Sequence, residues 1–503
     1  MNQLFRLPLP QTTWRFFWPV LAGALALRFL LAQTNFDYIH PDQTFQYLEP
    51  AYRLVHGYGL VTWEWAFGIR SWFVPFGIAG VIRLADWIGV PHEPLVELAF
   101  SLISLAIPVG IYRLAQALLP ERQAIWAYLV GCFWIYFLHA AATPMPSMLA
   151  SAPLIWVAVL MLRPPTRQRL LLIGALAAVT LAIRYQLLPV VGLLMLFSLI
   201  ALRWQAVWIA AGGLAVLTVV GLVDLFTWGV PFWSFVENFR LNMLAGLSER
   251  FGVHPQWFYL WKALQETGGV FIAMLLGLAL MGRNGWPIWV AVAVGIAFFH
   301  IPAHKEIRFL TWAMPFGAIG FAHLAARLLD RVRDVRPLAM AVACFMPFWV
   351  VATGLVYLPF HLRLFGMQHE GIDATEVMRF LSTERDATAV LTLAPEFGWW
   401  RTGGYYTLAR PLPVYFAYHG LTLETAGPAI SHVVTDGDEG PAGFEPVFIG
   451  PRLQVWRSTA SRIEPAERDY LFRPDADFDK NVPVAPLATP YPPIPTRFPD
   501  PAP

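Results

Sequence analysis

Residues 187–226 read LLPVVGLLMLFSLIALRWQAVWIAAGGLAVLTVVGLVDLF, and this stretch decides the fold class. Its two apolar runs, 187–203 and 206–226, are each as long as the roughly 17 to 25 residues that cross a bilayer as a helix. The whole chain has the same character, since 57% of its 503 residues are hydrophobic, 14% are charged and the mean hydropathy is +0.53. This composition excludes a soluble globular protein and predicts an α-helical polytopic membrane protein.

Charge and cysteine usage narrow the possible functions. The chain has 35 basic and 33 acidic residues, a formal net charge of +2, so no global field would attract nucleic acid, which is not expected as a partner. The cysteines, Cys132 and Cys344, both lie in apolar runs. We therefore expect neither a disulfide framework nor a cysteine-based metal site.

Apolar runs predict about eleven crossings of the membrane. The predicted spans are 14–33, 93–118, 124–142, 147–162, 169–184, 187–203, 206–226, 268–282, 286–302, 309–329 and 337–359. The first could be mistaken for a signal peptide, but Arg28 interrupts its apolar run and no small-residue cleavage site follows, so we expect a retained helix.

Arginines in the short connections predict the orientation by the positive-inside rule. Every second connection carries them: Arg6, Arg15, Arg113, Arg122, Arg163, Arg167, Arg169, Arg203, Arg283, Arg327, Arg331, Arg333 and Arg336. The alternation holds if residues 71–92 make an interfacial or re-entrant segment and no separate crossing, as Arg83 and Asp86 within them suggest. Residues 34–92, residues 227–267 and everything after about residue 360 then face away from the cytoplasm.

Three domains follow from these boundaries. Residues 1–360 form the membrane domain, with large outward loops at 34–92 and 227–267. Residues 361–480 regain charges and carry the β-favouring runs 389–393 and 413–418, so they predict a small soluble α+β domain. Residues 481–503 are proline-rich, which predicts an extended tail.

The first outward loop contains a polar helix face. Pro41 is placed to begin a helix in which Asp42, Gln46 and Glu49 share one face, while Phe45, Leu48 and Tyr52 share another. Taken alone, Asp42 is more simply explained as an acid that complements a helix N-terminus. Further along, Glu64 lies between Trp63 and Trp65, in either an interfacial aromatic belt or a sugar-stacking platform, and composition favours the belt.

A second charged stretch reads HIPAHKEIRF over residues 300–309. His304, Lys305, Glu306 and Arg308 lie between two spans on the side where positive charge is disfavoured, an arrangement that indicates a bound anion. A metal site at His300, His304 and Glu306 is a weaker alternative, because the spacing matches no strong metal motif. Further outward cations suit a phosphate at the membrane surface, although contact with lipid headgroups is the competing explanation for each: Arg184, Arg240, Arg250, His254 and Lys262.

These motifs together resemble glycosyltransferase family 22, the GT-C members that include mannosyltransferases of N-glycan and glycosylphosphatidylinositol assembly. The resemblance rests on HPDQTFQYLEPA at 40–51, GYGLVTWEW at 57–65, RSWFVP at 70–75, RYQ at 184–186, Asp224 with WG at 228–229, NFRLN at 238–242, FGVHPQWFY at 251–259 and HKEIRF at 304–309. Two positions depart from the family pattern. Gln43 replaces a glutamate, so the base falls to Asp42 alone, and the arginine usual near residues 141–147 is absent.

The resemblance implies an inverting transferase that takes a sugar, usually mannose, from a polyprenyl-phosphate or dolichyl-phosphate carrier to a glycan or glycolipid acceptor. It implies that Asp42 is the catalytic base and that Arg308, Lys305, His304 and Arg184 hold the donor phosphate. The implied sugar- and acceptor-binding residues are His40, Gln46, Glu49, Trp63, Glu64, Arg70, Asn242, His254 and Glu306. No metal and no cofactor are expected, and the partners besides the two substrates are membrane lipids.

The contrasting class is a non-enzymatic membrane protein, either a lipid-linked-sugar flippase or a solute transporter. Transporters usually show repeated halves and ionisable groups near mid-membrane, whereas this sequence shows no internal repeat and places its ionisable clusters at one face. These features favour the transferase. The abundance of arginine over lysine suggests a bacterial source, so we expect an inner-membrane protein whose active site faces the periplasm, or the lumen of the endoplasmic reticulum if the source is eukaryotic.

Overall fold

The computed structural model describes residues 15–33, 40–283, 285–364, 367–394, 399–416, 423–426 and 430–460. The predicted tail at 481–503 and Arg6 lie outside these residues. Helices account for most of the described chain. In chain order they are α1 Phe17–Ala32, α2 Pro41–Gln43, α3 Glu49–His56, α4 Trp63–Ala66, α5 Phe73–Ile88, α6 His92–Ser104, α7 Ala106–Leu118, α8 Glu121–Phe133, α9 Ile135–His139, α10 Pro146–Met161, α11 Arg167–Ile183, α12 Leu188–Leu202, α13 Val207–Trp228, α14 Trp233–Phe239, α15 Phe258–Thr267, α16 Val270–Ala279, α17 Trp286–Phe299, α18 Met314–Val332, α19 Arg336–Leu364, α20 Met367–Thr383, α21 Gly404–Leu408 and α22 Leu423–Ala426.

The chain divides into two compact units. The first comprises Met1–Asp37, Glu97–Leu225 and Asn238–His361, and the second comprises Tyr38–Val96, Phe226–Glu237 and Leu362–Pro503. The domain boundaries predicted from composition divide the chain at other positions than these two units do, and the predicted domains stay predictions.

Most of the apolar helices lie in the first unit. Within the described residues, three helical stretches are long and apolar enough to cross a membrane: His92–Leu118, Tyr185–Trp228 and Ile307–Val332. The shorter apolar helices are Phe17–Ala32, Pro146–Met161, Val270–Ala279, Trp286–Phe299 and Arg336–Ala352. Each of the eleven predicted spans overlaps at least one helix. The predominantly helical membrane fold is therefore confirmed, while the count of eleven crossings stays a prediction.

Close backbone contact and a buried cation hold this unit together. A Cβ on Gly277 of α16 would overlap the backbone carbonyl of Gly320 in α18, so these two helices touch where small residues allow it. Arg28, which interrupts the first apolar run, is fully buried and donates to the carbonyls of Gly131 at 3.0 Å and Cys132 at 2.9 Å. These bonds satisfy a charge that bare hydrocarbon would not accommodate, and they attach α1 to the end of α8.

In the second unit, α5 is amphipathic. Ile78, Ala79, Ile82 and Ala85 form its buried face, whereas Trp87 on the other side is 82% exposed. This pattern is typical of a helix at the interface between membrane and water, and the interfacial or re-entrant placement of residues 71–92 stays a prediction.

A small mixed sheet forms the core of the C-terminal region. Its strands are β1 Val390–Thr392, β2 Val414–Phe416, β3 His432–Thr435, β4 Phe444–Ile449 and β5 Gln454–Ser458, in the order β2-β1-β3-β5-β4. β1 pairs in parallel with β2 and β3, and Leu391 lies between Tyr415 and Val433 in the register. β5 runs antiparallel to both β3 and β4. The two β-favouring runs of the sequence are thus neighbouring strands, and the predicted C-terminal sheet is confirmed.

Candidate active site

Asp42 is the second residue of the short helix α2, which begins at Pro41 as the sequence predicts. The Asp42 backbone N–H donates to His40 Nδ1 at 3.2 Å, and the His40 backbone N–H donates to Gln43 Oε1 at 3.4 Å, which together form a capping box. Glutamine serves this box as well as glutamate does, so the departure at Gln43 leaves the loop geometry intact. The Asp42 carboxylate lies 3.1 Å from His40 Nδ1 and its side chain is 25% exposed. It is the most accessible of the three acids in the two loop motifs.

Glu64 is the centre of a hydrogen-bonded group in the same loop. Its Oε1 accepts from Gln46 Nε2 at 3.1 Å and is bonded to the Arg70 guanidinium. Burial lowers the pKa of Arg70, but Glu64 and then Tyr47 raise the pKa by more, so Arg70 remains a cation. The Trp228 indole donates to the Arg70 carbonyl at 3.1 Å. The structure therefore brings together three predicted site residues, Gln46, Glu64 and Arg70.

Trp63 lies in α4, next to Glu64. Its ring packs against Phe67 at 6.2 Å between centroids.

Glu49 differs from the prediction. The sequence spacing placed it on one face with Asp42 and Gln46, but residues Thr44–Leu48 form a π turn, which is wider than an α-helical turn and changes the direction of everything after it. Glu49 is 1% exposed and accepts hydrogen bonds from the backbone N–H groups of Leu60 and Tyr406. The expected contact of Glu49 with a sugar or acceptor is therefore wrong, because the carboxylate is buried and occupied.

The anion cluster, which we define as His304, Glu306 and Arg308, lies in the first unit. Arg308 holds Glu306 with two nitrogens, its Nη2 donating to Oε1 at 2.8 Å and its Nε to Oε2. His304 Nε2 lies 2.9 Å from Glu306 Oε1, and its Nδ1 lies 2.9 Å from the Gly252 carbonyl, which can only accept. Burial lowers the pKa of His304, but the hydrogen bonds to Glu306 and Gly252 raise the pKa by more. The cluster thus combines one carboxylate with an arginine and a histidine that favours its charged form.

Arg184 lies beside the same segment. Its guanidinium carbon is 4.9 Å from the centre of the Phe309 ring and 5.7 Å from that of Phe299, at distances typical of cation–π contacts. The residue is 9% exposed. The structure therefore confirms neither phosphate binding nor headgroup contact for Arg184, but it places the cation next to the anion cluster.

Lys305 also differs from the prediction. It is 1% exposed, and its ammonium donates to the carbonyls of Pro302 at 2.7 Å, His254 at 3.1 Å and Ala303 at 3.5 Å. An ammonium has three N–H donors, and all three are used by these carbonyls. The expected contact of Lys305 with the donor phosphate is therefore wrong. Lys305 directly follows His304, and neighbouring residues in an extended segment point to opposite sides, so the two side chains have different partners.

Replacing Lys305 by alanine should destabilise the loop without a specific effect on the donor. The carbonyls of Pro302 and His254 would lose the Lys305 ammonium as a donor, whereas the Ala303 carbonyl would keep the His254 backbone N–H. A buried polar group left without a partner costs about 1 to 3 kcal/mol. We expect a lower melting temperature of the detergent-purified protein but an unchanged donor KM for the folded fraction. A raised donor KM at unchanged melting temperature would return Lys305 to the phosphate site.

Asn242 and His254 lie in the segment 227–267, which the sequence predicts to be the second outward loop. The Asn242 amide donates to Asn238 Oδ1 at 2.9 Å, and the same oxygen accepts from the Tyr185 hydroxyl at 2.6 Å. Tyr185 and Asn238 were not singled out as site residues, although the four-residue spacing of Asn238 and Asn242 could have indicated the pair. The His254 ring stacks on Phe258 at 4.3 Å, and burial lowers its pKa.

The residues of the alternative metal site have other partners in the structure. His300 Nδ1 lies 2.9 Å from the Ile296 carbonyl, while His304 and Glu306 bond to each other. Among the residues that the structure describes, no group of three or more histidine, cysteine, aspartate or glutamate side chains could hold a metal ion. That the reaction requires no metal or cofactor remains an expectation.

Comparison with known proteins decides the family. The model of the Alg9-like mannosyltransferase family matches residues 19–406, which is more than three quarters of the chain and includes both Asp42 and the anion cluster. The chain belongs to the Alg9-like mannosyltransferase family. This membership confirms the predicted family and the predicted enzyme class, a membrane mannosyltransferase, and it does not favour the flippase or transporter alternative.

Relatives in this family are similar over much of the chain. GPI mannosyltransferase 3 of Yarrowia lipolytica is 26% identical over 408 residues, which cover 79% of this chain and 76% of that protein. GPI alpha-1,2-mannosyltransferase 3 of Danio rerio is 27% identical over 353 residues, which cover 66% of this chain and 62% of that protein. The match thus spans 76% of the length of the first relative and 62% of the length of the second.

A solved structure has the same fold. ArnT from Cupriavidus metallidurans, bound to undecaprenyl phosphate, superposes with a TM-score of 0.57 and 14% sequence identity, covering 90% of this chain and 100% of that one. At this level of identity the likeness establishes the fold alone. The Alg9-like chain is therefore an integral membrane protein of the GT-C fold, as predicted.

Proposed function

We propose that this protein transfers mannose, with inversion, from a polyprenyl-phosphate-linked donor to a hydroxyl group of a glycan or glycolipid. The observation that carries the proposal is the family match over residues 19–406, which contains every residue assigned a role. The name of the Danio rerio relative, an alpha-1,2-mannosyltransferase, supports an α-linked product. Since inversion exchanges the anomeric configuration, such a product requires a β-linked donor.

The proposed step is a single displacement at the anomeric carbon. The acceptor oxygen forms a bond to that carbon, while the bond to the phosphate oxygen breaks and its electron pair leaves with the lipid phosphate. Asp42 takes the proton of the acceptor hydroxyl, and its exposed position in the loop suits this role. Gln46, Glu64 and Arg70 orient the sugar through the hydrogen-bonded group described above. His40 contacts Asp42, and Trp63 is adjacent to Glu64 in the chain.

The leaving phosphate requires cations, and the anion cluster supplies them. Arg308 and His304 share Glu306, which holds both side chains in place and leaves the group with a net positive charge when His304 is protonated. Arg184 adds a second arginine beside it. A monophosphate leaving group bound in this way needs no nucleotide site, and the absence of a metal or cofactor stays an expectation.

Transfer from a defined donor tests the function. Purified protein in detergent or proteoliposomes should release polyprenyl phosphate from radiolabelled polyprenyl-phosphate mannose and place the label in an acceptor glycolipid extract. Movement of the labelled lipid between leaflets without cleavage would instead identify a flippase. No transfer with polyprenyl-phosphate mannose but transfer with another polyprenyl-phosphate sugar would correct the sugar and keep the class.

The active site should face away from the cytoplasm, in bacteria toward the periplasm. The alternation of arginines supports this side, and the proposed outward parts include both Asp42 and the C-terminal region. An engineered cysteine at Ile449, which is 75% exposed, should react with an impermeant thiol reagent in intact cells after the exposed Cys344 has been replaced by serine. A matched cysteine at the exposed Gln168 should be protected until the membrane is opened. The opposite pattern would invert the topology.

A further inference from the structure

Glu49 is buried in the loop that carries Asp42, and both of its carboxylate oxygens accept hydrogen bonds. The Leu60 backbone N–H donates to Oε1 at 2.6 Å, and the Tyr406 backbone N–H donates to Oε2 at 2.8 Å. Tyr406 follows Glu49 by 357 positions in the sequence. One buried side chain therefore joins the first outward loop to the C-terminal region of the same unit.

Two glycines let the backbone approach this carboxylate. Gly404 has φ +67°, and a Cβ there would overlap Glu49 Oε2 and lie 3.1 Å from Phe45 Cε1. Gly59 has φ +149°, and a Cβ there would lie 3.0 Å from Glu49 Oε1. Side chains are disfavoured at both positions, by the backbone conformation and by the lack of space.

Ring contacts surround the same junction. The Tyr406 carbonyl lies 2.7 Å from His92 Nε2, and the His92 ring lies 5.2 Å from that of Tyr52 in α3. The Tyr405 ring packs edge-on to Tyr58 at 5.8 Å. The segment 403–408 is therefore packed into the loop on several sides, and the family match ends within it, at residue 406.

The junction is connected to Asp42 through the π turn. The Glu49 backbone N–H donates to the Thr44 carbonyl, and the Phe45 carbonyl accepts from the Trp65 indole at 2.9 Å. Helical turns run without interruption from α2 through α3. Any displacement of Glu49 would therefore move the turn that carries Gln46 and the helix start that carries Asp42.

We propose that Glu49 is a positioning residue for sugar transfer, and that the segment 403–408 of the C-terminal region belongs to the catalytic machinery by holding it. The inference rests on the proposed function, because Glu49 acts through Asp42. A carboxylate is required for the two hydrogen bonds, since a glutamine amide has one acceptor oxygen and would turn its NH₂ group toward one of the two N–H donors in either orientation.

Glu49→Gln should lower kcat by about tenfold to a hundredfold, the loss expected when a catalytic group is misplaced by about 1 Å. The donor KM should stay within about threefold, because the anion cluster is untouched. Glu49→Asp keeps both acceptor oxygens on a shorter side chain and should give an intermediate kcat. This variant also tests the proposal if the glutamine variant does not fold. Glu445→Gln, a change at an exposed carboxylate of β4, is the control and should match the parent.

Gly404→Ala tests the same junction from the other side. It should lower kcat in the same way, whereas Gly437→Ala, where a Cβ would meet nothing within 4 Å, should not. Melting temperatures and size-exclusion profiles of all variants are compared, so that a loss of folded protein is not counted as a loss of kcat.

A double-mutant cycle with Asp42→Asn separates this inference from the proposed function. If Glu49 acts through Asp42, Glu49→Gln should cost less than about threefold once Asp42 is asparagine, since residues that act as a unit are not additive. Losses that multiply, or a parental kcat in Glu49→Gln, would overturn the positioning role. Absence of transfer by the parent protein itself would instead overturn the proposed function.

Discussion

Asp42→Asn should reduce transfer from polyprenyl-phosphate mannose by about 10²- to 10⁴-fold, the usual effect of losing a general base. Asparagine keeps the shape of the side chain and leaves the capping box intact, because that box uses the backbone N–H of Asp42, the side chain of His40 and the side chain of Gln43. The protein should therefore fold and insert normally. Initial rates at saturating donor and acceptor measure the effect.

The other acids of the loop are poorer candidates for the base. Glu49 is buried with both oxygens occupied, and Glu64 is bonded to Arg70 and Gln46. Asp86→Asn is a suitable control, since Asp86 belongs to the same loop and lies beside His56, outside the proposed machinery. Activity of Asp42→Asn within a few-fold of the parent would contradict the assignment, and a product of retained configuration would exclude the single displacement whichever acid serves.

Arg308→Ala should weaken use of the donor by about tenfold to a hundredfold, which corresponds to the roughly 1.5 to 3 kcal/mol of a charge-assisted hydrogen bond. The effect should appear mainly as a raised donor KM, because the lost contact is made to a phosphate that is charged before the reaction as well as after it. Within the cluster, Glu306 would lose Arg308 and keep His304 as its cationic partner.

Arg308→Lys separates charge from geometry. Lysine keeps the positive charge but cannot hold Glu306 with two nitrogens, so we expect an intermediate donor KM. Arg331→Ala, at an exposed arginine near the end of α18, is the matched control and should leave donor KM unchanged. Donor kinetics of Arg308→Ala equal to those of the parent would remove Arg308 from the phosphate site.

The motifs predicted which residues belong to the site, and their roles in sugar transfer stay predictions. The structure brings Gln46 together with Glu64 and Arg70, and it brings His304 together with Glu306 and Arg308. Prediction failed at Glu49 and Lys305 for one physical reason. A charged residue in a motif suggests a ligand, but each of these two side chains is hydrogen-bonded by backbone groups of the protein, and backbone partners leave no signal in the sequence.

The sequence by itself determined that this is a helical membrane protein with a C-terminal sheet and a mannosyltransferase motif set, because hydropathy and motif spacing are local properties. Only the tertiary structure decided that a π turn separates Glu49 from Asp42 and that the Tyr406 backbone completes the environment of Glu49. It also decided that the Lys305 ammonium binds three carbonyls. Such contacts depend on where distant backbone N–H and C=O groups come to lie, and every residue except proline carries both groups, so their partners are chosen by packing and not by side-chain identity.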